Sequence, residues 1–332
     1  MGGEIGSLTC THENSHRLIA MKNRLHSILV PVYNSKDTLE GLVKRVSKVM
    51  DREGIHFELV LVDDGSSDGS YEEMSRLARL HKTVRGFRLS RNFGHQAALV
   101  VALQQCSGEF VAIIDDDLQD PPEILPSFFT YLYEGKDVVY GVRKQRKEGA
   151  FKRILYAAFY RLLSVLSKVS IPLDAGDFCV MKRCVVDSML QHMEANPFLR
   201  GIRAWVGFNQ VGMPYERDER VGGESGYTWR KYFSLAIAGI LSFSYVPLRL
   251  ATILGLVSAF LGFAWAAYVL IYRFIAPIPV SGYTSLIVII TFLGGVQLIS
   301  IGVIGEYLAR VNDNTRKWPV AIVAESTIEE EK

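Results

Sequence analysis

The sequence is poor in cysteine, and its cysteines form no pattern. Cys10, Cys106, Cys179 and Cys184 make no CxxC pair and no zinc spacing, so they read as free thiols in a reducing compartment. An apolar signal at the start is also missing. Residues 1–24 are polar without an h-region and read as a disordered leader, with Met21 an alternative start. The opening MGGEIG lacks the Ser or Thr that myristoylation wants at the sixth position. Neither GxxxxGK[ST] nor a GxGxxG after the first strand occurs, so P-loop and dinucleotide-binding readings lose support. Charge of one sign is lacking too. Thirty-seven basic against 35 acidic residues leave a net +2, which excludes a general polyanion binder.

Apolar residues are abundant. Hydrophobic residues make up 49% of the chain and mean hydropathy is +0.15. The excess sits near the C-terminus. Leu250–Tyr272 carries no charge and would span roughly 34 Å as a helix, slightly more than a hydrocarbon core. Residues 274–305 are also uncharged and hold a Pro/Gly turn, APIPVSGY, before an apolar run at Ser285–Ile304. A transmembrane hairpin over 248–309 is expected. Arg230, Lys231 and Arg249 precede it, and Arg310, Arg316 and Lys317 follow, with only Arg273 between. By the positive-inside rule the N-terminal domain and the 310–332 tail are cytoplasmic. Residues 227–247 read as a juxtamembrane interface helix. Residues 150–168 read as an amphipathic helix with a basic flank, suited either to a core or to a membrane interface. The tail segment WPVAIVAES could form an exposed strand pairing with a neighbour, and so a homo-oligomer.

The first half alternates short apolar runs with helical spacing. Strands are expected at 27–32, 57–62, 84–89, 110–114 and 138–142. Helices are expected at 38–50, 71–80, 95–105 and 121–134. Apolar strands separated by helices predict an α/β fold with a mostly parallel sheet. Ligands of such sheets bind beyond the carboxyl ends of the strands. The polar clusters YNSKD, DDGSSDGS, SRNFGH and DDDLQD all fall there.

IIDDDLQDPPE, residues 113–123, runs a buried strand into three adjacent carboxylates, which repel unless a cation intervenes. In an extended segment, Asp115, Asp117 and Gln119 share one side and Asp116 points away. Two carboxylates and an amide oxygen are hard ligands that suit Mg²⁺ or Mn²⁺ with open positions for substrate phosphates. Asp63 or Asp64, in VDDGSSDGS, can accept hydrogen bonds from a base or ribose.

Together, VPVYN, VDDGSSDGS, SRNFGHQAAL, DDDLQDPPE, DAGDF and GEYLAR resemble the family 2 glycosyltransferases that charge polyprenyl phosphates. The membrane-anchored bacterial members with two C-terminal spans look nearest, and dolichol-phosphate mannose synthases are cousins. The resemblance runs from about Ser27 to the end. It implies a GT-A fold over residues 25–226 and transfer, with inversion, from a nucleotide diphosphate sugar, taken as a UDP sugar, to polyprenyl phosphate. Position by position, it implies that Pro31, Tyr33, Asn34, Asp63 and Asp64 line the nucleotide pocket, with Asp115 and Asp116 close to the donor. Asp115, Asp117 and Gln119 would hold the metal, and Arg143 would face the donor or the acceptor phosphate. Asp177 matches the position usually given to the catalytic base. A phosphate monoester is already largely ionised at neutral pH, so orienting the acceptor or stabilising the sugar's positive charge are the other roles open to it. Arg217, Arg220 and Ser225 match a mobile loop that grips phosphate.

Departures from the family pattern are Ser35, where many members have Glu; Asp116, where Ala is common; and Gly226, in place of Lys. A processive polysaccharide synthase of the same superfamily is disfavoured, because QxxRW is absent and two spans are too few for a polymer channel. A silent nucleotide-binding scaffold is the other alternative.

Overall fold

The computed structural model describes residues 20–143, 175–217, 246–275, 282–316 and 318–328. The amphipathic helix expected at 150–168, most of the leader and most of the 227–247 segment lie outside the described residues. The N-terminal elements are β1 (His26–Val32), α1 (Lys36–Glu53), β2 (Phe57–Asp63), α2 (Ser70–Leu80), β3 (Val84–Leu89), α3 (His95–Gln105) and β4 (Phe110–Ile113). A 3₁₀ turn at Pro122–Ile124 leads into α4 (Leu125–Tyr133), which is followed by β5 (Val138–Arg143). Beyond these come β6 (Ala175–Lys182), α5 (Arg183–Gln191), α6 (Leu199–Trp205) and β7 (Gln210–Tyr215). Two long helices, α7 (Val246–Ile275) and α8 (Tyr283–Thr315), and a last strand, β8 (Val323–Ser326), complete the elements among the described residues.

The eight strands form one mixed sheet in the order β7-β5-β6-β4-β1-β2-β3-β8. Pairs β1–β2, β1–β4, β2–β3 and β5–β7 are parallel. β6 and β8 pair antiparallel to their neighbours. Strand periodicity divides the core into two layers. Ile28, Val30, Leu59, Leu61, Phe110 and Ala112 face α1, α2 and α4, through residues such as Leu39, Leu42, Met74 and Phe129. Leu29, Val60, Val62, Val111 and Ile113 face α3, α5 and α6, through Leu99, Leu103, Val185 and Ile202. Burial on both faces explains why these strands read as continuous apolar runs.

β1 and β4 part company after the pair Leu29–Ile113. Pro31, which has no N–H to give, lies beyond that last rung, where β1 no longer has β4 as a partner. The crevice beyond is the switch point where chain direction away from the sheet reverses, the expected ligand position in open α/β sheets.

At the opposite end of β1, His26 is fully buried, with Nε2 2.6 Å from Tyr133 Oη and Nδ1 2.7 Å from the Arg24 carbonyl. Burial pushes its pKa down to about 4. The folded state therefore resists a proton that the unfolded state accepts below about pH 6.5. Stability should be flat above pH 6.5 and fall between there and pH 4, by roughly 3 kcal/mol in total from this residue. Thermal melts of His26→Gln against the parent, from pH 7 to 4.5, should show the variant losing less on acidification.

The chain divides into two compact units: one holds the sheet and the segment from Pro319, the other the two long helices. Windows Leu248–Trp265 and Val288–Thr315 have mean hydropathies of 1.7 and 2.2, and 6% and 0% of their residues are buried. Such helices are long and apolar enough to cross a membrane, and their exposure is unlike that of a soluble core helix. α8 continues past Ile304, where the apolar run ends, because no Pro or Gly interrupts residues 306–315.

The tail departs from expectation. β8 forms within WPVAIVAES but pairs antiparallel with β3 of its own chain rather than with a neighbour. Thr327 Oγ1 accepts from the Gly86 amide at 2.8 Å, and Arg88 reaches Glu325 at 3.2 Å. The β3 edge, the surface that a neighbour's strand would need, is thus taken from within.

Candidate active site

The polar loops at the carboxyl ends of β1, β2, β3 and β4 are stitched together. The Ser67 amide donates to Asn34 Oδ1 at 3.0 Å and the Asn34 amide to Ser66 Oγ at 2.9 Å. Amides of Ser35 and Lys36 donate to Ser70 Oγ and Asp68 Oδ2. Asn34 sits at φ 51°, a left-handed conformation that asparagine tolerates well. Gly65, at φ 68°, lies so close to the 91–92 backbone that a Cβ would come within 2.6 Å of Arg91 C, so only glycine fits.

Asp63 and Asp64 are buried, at 0% and 3% exposure, and already engaged. Asp63 accepts from the Ser66 amide and lies 3.6 Å from Arg88 Nε. Asp64 accepts from the Phe93 amide at 2.7 Å and the Gly94 amide at 2.9 Å, fixing the loop before α3. Burial raises both pKa values against these hydrogen bonds. The two carboxylates thus pin the loops after β2 and β3. Pro31 is buried in β1, whereas Tyr33 is half exposed at the pocket edge.

The aspartate triplet is not extended. Residues 116–117 form a turn, and Leu118 adopts φ 58°. The sequence-based grouping of Asp115 with Asp117 holds all the same, because both approach one guanidinium. Arg217 Nη2 lies 3.2 Å from Asp115 Oδ2 and 3.6 Å from Asp117 Oδ2. Asp116 turns the other way and accepts from the Tyr33 amide at 3.1 Å. Gln119 donates its amide to Asp117 Oδ1. A further carboxylate, Asp120, is buried, accepts from Tyr215 Oη at 2.7 Å and lies 3.2 Å from Arg217 Nε. Burial, and then Asp120, push Asp115 up to about 7.

A second cluster lies across the strand gap. β4 and β6 pair with Ile113 opposite Cys179, so Asp115 and Asp177 come off neighbouring strand ends. His95 stands between them, its Nε2 3.5 Å from Asp177 Oδ2 and 3.9 Å from Asp115 Oδ1. Asp177 accepts a bidentate fork from Arg200, at 2.8 and 2.9 Å, and a longer bond from Gln96 Nε2 at 3.4 Å. Burial alone would raise the Asp177 pKa, but Arg200 and His95 outweigh it and hold the carboxyl well below the usual range. An acid so placed is a weak proton acceptor. Arg143, at the end of β5, has a buried Nε without a hydrogen bond among the described residues. Its Nη2 lies beside Gly176, 3.7 Å from where a Cβ would stand. Arg220 and Ser225 lie outside the described residues, as does Gly226.

The sequence reading named none of His95, Gln96, Arg200 or Asp120. Asp120 was visible as the fourth acid of DDDLQD. His95 and Gln96 sat in the quoted SRNFGHQAAL without a role. Arg200, in PFLRGIRAW, carried no local signal.

The donor set fits a hard divalent cation. Two carboxylates converge on a single positive group, and Mg²⁺ or Mn²⁺ takes one or two protein carboxylates and completes its shell with water and phosphate oxygens. Among the described residues no three His, Cys, Asp or Glu side chains form a closed metal cage.

A mostly parallel sheet with acidic loops at its switch point is a GT-A-like fold, and the two C-terminal apolar helices are candidate membrane spans. Residues 27–190 match the glycosyl transferase family 2 model, and 246–311 match the GtrB C-terminal hairpin model. Bacillus subtilis YkcC, named an uncharacterized glycosyltransferase, is 41% identical over 302 residues, covering 91% of this chain and 94% of the relative. The SfII prophage-derived bactoprenol glucosyl transferase of Shigella flexneri is 38% identical over 301 residues, 90% of this chain and 97% of the relative. A prophage bactoprenol glucosyl transferase homolog of Escherichia coli K12 is 37% identical over 298 residues, again 90% and 97%. The chain belongs to glycosyl transferase family 2 and is a glycosyltransferase.

Proposed function

We propose that the protein transfers a sugar from a nucleotide diphosphate sugar, of the UDP class, to the phosphate of a polyprenyl phosphate, with inversion at the anomeric carbon. The observation that carries this reading is the convergence of Asp115 and Asp117 on the Arg217 guanidinium beyond β4, in a chain whose relatives are named bactoprenol glucosyl transferases.

An oxygen of the acceptor phosphate attacks the anomeric carbon, the bond to the nucleotide diphosphate breaks, and the nucleotide diphosphate leaves. The acceptor's second pKa lies near 6, so no proton need be removed, and the low basicity of Asp177 is no obstacle. Asp115 and Asp117 would hold the divalent ion, with Gln119 beside them. When bound, that ion would supply positive charge to the departing diphosphate. Tyr33 would offer its ring to the base. Arg143, with its orphaned nitrogen, suits phosphate. Positioning and electrostatics carry the rate.

The fold supports one side of the membrane for both flanks of the hairpin. β3 precedes the two apolar helices and β8 follows them, yet both strands belong to one sheet. A sheet cannot straddle a bilayer, so the chain must return to the side it left. The basic flanks favour the cytoplasm as that side, which cysteine labelling at residues 276–281 in intact cells would test.

Purified protein incubated with a panel of radiolabelled nucleotide sugars and undecaprenyl phosphate should give a lipid-linked monosaccharide only when Mg²⁺ or Mn²⁺ is present. A long polymer would favour a processive synthase. Binding of nucleotide without turnover would favour a silent scaffold.

A further inference from the structure

The crevice contains two cationic arms where nucleotide and sugar binding account for one. The first is Arg217 on Asp115, Asp117 and Asp120. The second is Arg200 on Asp177, separated from the first by the His95 ring, which lies within 4 Å of both Asp115 and Asp177. The second arm is built with some care. Asp177 comes from β6 and Arg200 from α6. Gln96, in the first turn of α3, donates to Asp177 through Nε2 while its Oε1 accepts from the Leu199 amide at 2.9 Å. One side chain thus ties the residue before Arg200 to Arg200's own carboxylate. Asp177 is nearly covered, at 9% exposure, whereas the Arg200 side chain stays about a third exposed, at 32%. Arg143, whose buried Nε has no hydrogen-bond partner among the described residues, brings its Nη2 beside Gly176, the residue before Asp177.

A reaction that joins a phosphate monoester to a sugar diphosphate must bring two phosphate-bearing groups close together. Their charges repel, so each needs its own cationic partner. The Asp115–Asp117 arm suits the donor diphosphate. Resting on the proposed function, we infer that Arg200, held in place by Asp177 and Gln96 and aided by Arg143, grips the phosphate of the acceptor. Asp177 is then a positioning residue. Its carboxylate aims the guanidinium fork and takes no proton. Arginine fits the task because its planar fork serves a carboxylate with one edge and phosphate oxygens with another.

The test uses full-length protein in detergent, UDP-glucose and undecaprenyl phosphate, with Arg200→Gln, Arg200→Lys and Asp177→Asn. Arg200→Gln should raise the acceptor KM about tenfold or more, the effect of losing a charged hydrogen bond. The donor KM should stay within about twofold. Binding of UDP, measured by calorimetry, should also stay within about twofold of the parent, which a collapsed crevice would not allow. Arg200→Lys should recover part of the acceptor affinity. Asp177→Asn should raise the acceptor KM in the same sense, with its pH profile unshifted. An unchanged acceptor KM in Arg200→Gln, a donor KM that rises as much, or UDP binding lost along with acceptor affinity would each overturn the inference while leaving the proposed function intact. If Arg200→Gln does not fold, Arg200→Lys and Asp177→Asn decide by the same criteria. Failure of the parent to glycosylate the lipid with any nucleotide sugar sinks the proposed function and this inference together.

Discussion

Asp115→Asn should abolish transfer while leaving the protein as stable as before or more so. The expected fall in kcat is on the order of 10²–10³-fold, the scale seen when one charge-stabilising group is removed from a preorganised site. The stability argument runs the other way. Asp115 shares a partly enclosed corner with Asp117, Asp120 and Asp177, and burial together with Asp120 raises its pKa to about 7. A raised carboxyl pKa means that the folded state disfavours the charge, so this side chain lowers stability above its unfolded pKa near 4. Asparagine keeps the shape and removes the charge. Kinetics and thermal melting of the variant at pH 7.5 check both signs. A large drop in melting temperature would mean that Asp115 is a structural partner of Arg217 first and a ligand second.

Asp177→Asn gives the contrast. That carboxylate has a depressed pKa and a bidentate partner, so its charge stabilises the fold at neutral pH and loses that effect only in strong acid. The two aspartates leave neighbouring strand ends, yet under the proposed function one would be kept against stability and the other would serve both. Such a conflict between local stability and charge is what an active site is expected to display.

Much of this was legible in the sequence, for identifiable reasons. β1, β2 and β4 are buried on both faces, which is why their sequences are continuous apolar runs that read as a covered sheet. The helices that follow carry their apolar residues on one side and could be bounded closely. Asp115 and Asp117 were paired by assuming an extended strand. The turn at residues 116–117, with Leu118 at φ 58°, reaches the same pairing by another route. What escaped was created by tertiary contact alone. Arg200 meets Asp177 across 23 residues of chain, and Gln96 meets Leu199 across 103. No periodicity or spacing encodes such meetings, since each depends on α6 docking beside β6. The tail strand was readable as a strand, but its partner was not, because an apolar edge segment fits any open edge equally well.

Arg217 supplies the last and sharpest test of the donor arm. Its guanidinium contacts Asp115 and Asp117, the two carboxylates that would hold a divalent ion. Arginine and ion compete for the same oxygens. With the carboxylates given over to an ion, the Arg217 side chain would have the donor diphosphate to grip instead. Arg217→Ala removes the competitor and the grip at once. Affinity for Mn²⁺ in the absence of nucleotide should rise by about tenfold, the equivalent of 1.4 kcal/mol. Turnover should fall about 10²-fold through loss of a charge-assisted contact to the leaving group. Electron paramagnetic resonance of free Mn²⁺ during titration measures the first, and initial rates with saturating acceptor measure the second. Arg217→Lys keeps a point charge without the fork, so it should fall between the two in both measurements. Tighter metal binding with lost turnover is a combination that unfolding cannot imitate. Weaker Mn²⁺ binding in Arg217→Ala would instead show that the arginine builds the carboxylate site rather than filling it.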